Sequence, residues 1–331
     1  YAMRKLLLSS TALATAAALT AGAALADVSI SGYYEWKHLS RSSQVAANDG
    51  TSMASDSEIA FAFSNKTDSG LTISMVTELA ADDTDGEIDE SSLSISGGFG
   101  KIVLGQNDNV ADNYGVDVGD VVAEEETPTG TDTLAMLNTD VVSSGDLNKI
   151  TYHIPAMGGF NGGISYTDSG SDDTTGAQDT IEMGASYAMS AGGANITLSG
   201  ATSNTENVSG TVDIEAQSLG VTVSTGAVTI KLAQGSYEAT DANESSNGIG
   251  ASFKVNDAMT IGAYSTKVTD NTGTTDEEYS NTGGEVAYTI ASGLTAYLNI
   301  NDYDYKIGAG TGVGTTADSG TSTKVTIKAT F

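Results

Sequence analysis

Between Gln106 and Asn148 the chain carries ten acids, Asp108, Asp112, Asp117, Asp120, Glu124, Glu125, Glu126, Asp132, Asp140 and Asp146, and no Lys or Arg stands between Lys101 and Lys149. Carboxylates massed without counter-charge give a strongly negative local potential, which attracts cations and repels anions where low-dielectric walls focus it. A solvated acidic loop on the outside of a protein accounts for the same composition, so charge alone does not place the segment. Val121, Val122, Leu134, Met136 and Leu137 in the same stretch favour packing against a wall.

A second acidic run, Asp82-Asp83-Thr84-Asp85-Gly86-Glu87, has the composition of a calcium loop. With Gly86 at the sixth position of an EF-hand, Ala81 falls at the first ligand position, so that spacing fails. Looser calcium binding by Asp82, Asp83 and Asp85 stays open, because clustered carboxylates repel unless a cation bridges them. No cofactor is otherwise required. Catalysis has little to work with: His38 and His153 are the only histidines, cysteine is absent, and no serine stands in a nucleophile-elbow motif. The chain is not expected to be an enzyme.

These residues must be positioned by the elements around them. Past Tyr1 and Ala2, Met3 is followed by Arg4 and Lys5, an Ala-rich apolar run from Leu6 to Leu25, and an Ala24-Leu25-Ala26 cleavage site. That pattern predicts a secretory signal peptide over residues 1–26 and a mature domain over 27–331. Removing Arg4 and Lys5 takes the formal charge from −30 to −32 and leaves 13 − 2 = 11 basic residues, too few for a nucleic-acid partner. Beyond Leu25 no apolar run approaches the ~20 residues of a spanning helix, so membrane residence requires a barrel or an attachment.

From Asp27 onward the chain alternates apolar and polar residues with a period of two, the mark of a strand with two unlike faces. Val28, Ile30, Gly32, Tyr34 and Trp36 share one face of the first segment; Val325, Ile327, Ala329 and Phe331 share one face of the last. Sixteen such segments can be counted, broken by a polar loop over Leu39 to Ser55 and by the acidic stretch after Gln106. A shift of apolar phase between Ile214 and Leu219 predicts a bulge or an element boundary. Connections alternate between tight turns such as Ala191-Gly192-Gly193-Ala194 and long polar links such as Asp168 to Asp179, Thr240 to Asn247 and Asp304 to Ser322. This asymmetry and an even strand number fit a transmembrane barrel with its apolar face outward and its polar face toward water. A soluble sandwich would bury the apolar face instead, and an acidic adhesin or structural β protein is the alternative of a different class. Tyr33, Tyr34, Trp36, Phe61, Phe63, Tyr152, Tyr187, Phe253, Tyr288 and Phe331 are candidates for interfacial aromatic belts.

The run Gly98-Phe99-Gly100-Lys101-Ile102-Val103-Leu104-Gly105 before the longest loop, the signal peptide, the strand count and the terminal Phe331 occur in an order that resembles the Gram-negative general diffusion porins, especially the alphaproteobacterial type. The resemblance covers nearly all of 27–331. It implies an all-β, sixteen-stranded antiparallel transmembrane barrel in the cell outer membrane, with the third loop, about 106–148, folded into the lumen. It further implies a homotrimer in outer-membrane lipid and lipopolysaccharide, passing small hydrophilic solutes and ions by passive diffusion. Phe331 becomes the signal read by the barrel-assembly machinery, and the last strand pairs with the first. The constriction acids would be Asp108, Asp112, Asp117, Asp120, Glu124, Glu125 and Glu126. Family constrictions set such acids against basic residues of the early strands, where this chain offers only Lys37 and Arg41, with Lys324 and Lys328 on the polar face of the last strand. The expected selectivity is for cations.

Overall fold

Residues that alternate in hydropathy without proline or helix-forming runs satisfy their backbone groups only by pairing with neighbouring strands, and a sheet with no unpaired edge must close. The computed structural model describes residues 27–81, 88–126, 134–168, 178–207, 213–240, 242–272, 277–306 and 317–331. The expected signal peptide and the run Asp82, Asp83 and Asp85 lie outside them, as does Asp132.

The strands are β1 Asp27–Ser43, β2 Gly50–Lys66, β3 Thr72–Ala80, β4 Ile88–Gly97, β5 Gly100–Gln106, β6 Asn148–His153, β7 Phe160–Asp168 and β8 Gln178–Ala191. They continue with β9 Ala194–Asn207, β10 Ile214–Thr225, β11 Val228–Ala239, β12 Ala242–Asn256, β13 Met259–Asp270, β14 Glu277–Ala291, β15 Leu294–Lys306 and β16 Asp318–Thr330. Every strand pairs antiparallel with its sequence neighbours, and β16 returns to β1, giving a closed barrel of sixteen strands as the alternation predicts. The seam runs from Tyr33 opposite Thr330 to Ser43 opposite Gly320. Phe331 extends it: its N–H donates to the Gly32 carbonyl (3.1 Å) and its carbonyl accepts from Gly32 N–H (2.9 Å). Tight turns close on glycines at positive φ, such as Gly192 (59°) and Gly193 (83°), a backbone region where a side chain is strained.

The two faces differ as expected. Ile164, Tyr166, Ile181 and Met183 of β7 and β8 are exposed, while the alternate residues Ser165, Thr167, Thr180 and Glu182 are buried. Tyr34, Trp36, Phe63, Tyr187, Phe253, Tyr288 and Phe331 stand on the exposed apolar face. Tyr33 does not: it belongs to the polar set, where its hydroxyl donates to Asp56 (3.3 Å) and its ring lies 4.2 Å from the Lys328 ammonium.

Three element boundaries differ from the sequence reading. The expected loop over Leu39 to Ser55 is mostly strand, since β1 runs to Ser43 and β2 starts at Gly50. The expected link Thr240 to Asn247 is likewise strand from Ala242, and the link Asp304 to Ser322 is strand up to Lys306 and from Asp318. The reason is common to all three. At a rim where both faces are polar, the hydrogen-bond ladder continues while the hydropathy alternation that reveals it fades. A fourth difference concerns β10, whose register to β9 and β11 is unbroken. Ile214 is simply an apolar residue on the polar face, in phase with Ala216 and Ser218. The bulges fall instead at Glu78/Leu79, Lys254/Asn256 and Thr289/Ala291.

Candidate functional site

The described part of the segment between β5 and β6 has one short helix, α1 Val110–Tyr114, and a 3-10 turn at Gly119–Val121. Asn109 starts α1 by accepting the Asp112 N–H (2.9 Å), and its amide donates to the Asp112 carboxylate (2.8 Å) and to Ser143 Oγ (2.9 Å), tying the two limbs of the segment together. The described residues of this segment have little secondary structure, which leaves backbone groups to satisfy, and the barrel wall takes several of them.

Three glutamates on the polar face take five of the segment's backbone N–H groups. Glu182 of β8 accepts from Ser144 N–H (2.8 Å) and Ser165 Oγ–H (2.6 Å). Glu244 of β12 accepts from Ala135 N–H (2.8 Å) and Met136 N–H (2.7 Å). Glu285 of β14 accepts from Ala123 N–H (2.9 Å) and Glu124 N–H (2.8 Å). Ser218 of β10 takes the Val116 N–H (3.1 Å) and donates to the Thr139 carbonyl (2.9 Å). Between these polar anchors the segment buries apolar side chains: Val116 and Val118 with Ala233, Val121 and Val122 with Tyr264, and Leu134 and Met136 with Val268, Tyr279, Tyr303 and Tyr305. Glycines make room beneath it. A Cβ on Gly250 would collide with the Val118 carbonyl oxygen, and one on Gly220 with the Val116 side chain.

The sequence-predicted acids do not gather in one place. Asp108 lies with Glu90 and Asp146, their carboxylate oxygens within 4.8 Å of one another, and Lys149 is close by, donating to the Asn107 carbonyl (2.8 Å) and to the Gly145 carbonyl. Asp112 is bound up in the α1 cap and accepts from Ser143 (3.0 Å). Asp117 is buried and accepts the Gly119 N–H (2.9 Å), while half-exposed Asp120 pairs with Lys231 of β11 (2.8 Å). Glu124, Glu125 and Glu126 reach the seam. Glu124 accepts from Thr326 Oγ (3.2 Å) and lies 3.8 Å from Lys324; the Glu125 carbonyl accepts from Lys324 (3.0 Å). Glu126 pairs with both Lys324 (3.3 Å) and Arg41 (3.3 Å).

The four basic residues, by contrast, are gathered. Lys37 and Arg41 on β1 and Lys324 and Lys328 on β16 share the polar face of two paired strands. Glu35 bridges Lys37 (2.6 Å) and Lys328, and Lys37 also meets Asp56 (3.4 Å). Burial, with Glu35 nearby, raises the Glu124 carboxyl above the usual carboxylate range, against the pull of Lys324, Lys37 and Lys328. Sequence reasoning missed Glu182, Glu244 and Glu285: Glu182 and Glu285 stand in the polar phase of expected strands, whereas Glu244 fell in the expected link Thr240 to Asn247. For the first two the signal was present; what could not be read was which wall acids meet the segment. The histidines do not converge: His38 stacks against Trp36, and His153 faces Tyr114. Among the described residues, carboxylates of Glu58, Glu78 and Asp89 also lie within 4.8 Å of one another.

A model of the Gram-negative porin family matches residues 12–309. This chain belongs to the Gram-negative porins. No curated protein sequence matches it significantly. Among solved structures it is similar to OmpT, an outer membrane protein of Vibrio cholerae, in its trimer form, at 16% identity over 92% of this chain and 99% of the other, with a TM-score of 0.69. It is also similar to the anion-selective porin from Comamonas acidovorans, at 20% identity over 93% of this chain and 100% of the other, with a TM-score of 0.65. The porin is thus an outer-membrane β-barrel and a pore for passive diffusion. No helix among its described residues is long and apolar enough to cross a membrane, and the strands take that role.

Proposed function

We propose that the porin is a cation-selective channel for small hydrophilic solutes and ions, without enzymatic activity, and that segment 106–148 folds into the lumen as its constriction. The observation that carries this is the set of contacts the segment makes. From β7 round through β16 to β1 it touches the polar set of the wall, and a single segment reaches that arc of a closed cylinder across its interior. The acids it brings there, with the formal charge of −30, favour cations in a space walled by low-dielectric protein and lipid. Its similarity to an anion-selective porin is one of fold, and fold does not set the sign of the field; side chains do.

The assembly proposed is a homotrimer, a state that the Vibrio cholerae structure takes, embedded in outer-membrane lipid and lipopolysaccharide through the exposed apolar face. The barrel-assembly machinery would read Phe331, which stands exposed at the end of the seam. Planar-bilayer recording of the purified protein tests the reading. Reversal potentials in a salt gradient should favour cations, and conductance should close in three steps per insertion. A reversal potential favouring anions would overturn the selectivity, and absence of any conductance would overturn the pore.

A further inference from the structure

The tip Glu124–Glu126 meets two unlike sets of wall residues. From β13 and β14 it receives neutral donors and one further acid: Tyr264 Oη–H and Asn281 Nδ2–H donate to the Glu126 carbonyl (3.2 and 3.1 Å), and Glu285 takes the Ala123 and Glu124 N–H groups. That half of the site offers no counter-charge, and it sets the Glu285 carboxylate beside Glu124. The cations that pair with Glu124 and Glu126 come from the other half, Lys324 of β16 and Arg41 of β1.

The seam has a charge problem of its own. Arg41 stands opposite Ser322 and Lys324 opposite Leu39, so the two cations are diagonal neighbours on one face of the paired strands. Like charges so placed repel, and Glu126 lies between them at 3.3 Å from each. Glu35 does the same for Lys37 and Lys328. Tip and seam therefore each supply the charge that the other lacks. With Glu124 and Lys324 both buried, docking the tip without Lys324 would leave the Glu124 carboxylate in a dry site with the Thr326 hydroxyl as donor but no paired cation, which is more costly than exposing it to water.

We infer that Lys324 and Arg41 are positioning residues for the constriction, and that the tip docks only after β16 has paired with β1. Closure of the barrel and narrowing of its lumen are then one ordered sequence, wall first and constriction second. An open barrel intermediate keeps a free passage and a solvated loop. This rests on the constriction reading above.

The full chain, refolded from urea into detergent micelles, tests the order. Closure is read by heat-modifiable mobility on gels, and docking by cleavage at Glu124–Glu126 with a glutamate-specific protease, located by mass spectrometry. Protection at the tip should appear with the shifted band or after it. Lys324→Gln should shift normally yet be cut at the tip at least tenfold faster than the parent, and Lys324→Arg should restore protection. If Lys324→Gln does not shift, Arg41→Gln carries the same comparison, because Arg41 meets the tip through its Glu126 pair. Protection before the shift, full protection in the folded variant, or failure of both variants to close would overturn the inference. Protection is read without conduction. A chain that docks its tip in this order but passes no current overturns the pore reading and leaves the docking order standing.

Discussion

Replacing Glu285 with leucine removes the acceptor of two backbone donors, Ala123 N–H and Glu124 N–H, at a site where the carboxylate is 6% exposed. Each buried donor left without a partner costs about 1–3 kcal/mol, so the pair costs roughly 2–6 kcal/mol. Part of this is returned, because the substitution also removes a buried carboxylate that lies beside Glu124 and loses hydration when buried. A net loss of about 2–3 kcal/mol lowers the ratio of docked to released tip by roughly 30- to 150-fold, taking about 1.4 kcal/mol per factor of ten. Glu285→Gln keeps one oxygen as acceptor and should cost about half as much. The barrel wall is untouched by either change, since β14 keeps its full ladders to β13 and β15. The assay is single-channel recording with heat-modifiable mobility as the folding control. Glu285→Leu should fold and show larger conductance with more current noise, and Glu285→Gln should fall between it and the parent. Identical conductance and noise in a folded Glu285→Leu protein would refute the view that wall carboxylates hold the segment.

Other perturbations separate the remaining contributions. Burial holds the Glu124 carboxyl above its ordinary 4.5, so the docked tip binds a proton more tightly than the released one. Docking therefore strengthens as pH falls through the docked value toward 4.5, while the charge at the tip is lost. Cation preference should begin to fall above pH 4.5, and Glu124→Gln should remove that limb of the profile; an unchanged profile in the variant would count against Glu124 as its source. Gly250→Val puts branched carbon where the Val118 carbonyl lies and should displace the segment, raising conductance while the folded barrel still shifts on gels. Unaltered conductance would mean that the segment does not lie tightly on this strand. Deleting Phe331 removes two hydrogen bonds to Gly32, about 1–3 kcal/mol together, and should lower the yield of shifted barrel several-fold without altering the conductance of barrels that form. A normal yield would remove Phe331 from assembly.

Much of this porin is legible in its sequence because a barrel strand writes its two environments directly into alternate residues. Val28, Ile30, Tyr34 and Trp36 against Ser29, Ser31, Glu35 and Lys37 can be sorted without coordinates, and sixteen such segments with short and long links leave little choice of architecture. The acidic stretch and its apolar residues Val121, Val122, Leu134 and Met136 were equally visible. Element ends were not, because where both faces are polar the ladder of β1 and β2 continues with no change of hydropathy to mark it. Nor were the partners of the acids. Glu182 and Glu285 look alike in sequence to any other polar-phase glutamate, Glu244 reads as part of a polar link, and only the curvature of the closed wall decides that all three receive the segment's backbone. Lys37, Arg41, Lys324 and Lys328 stand almost a full chain length apart in sequence. They become one basic cluster because β16 pairs with β1, a contact that periodicity permits but that only closure of the barrel makes.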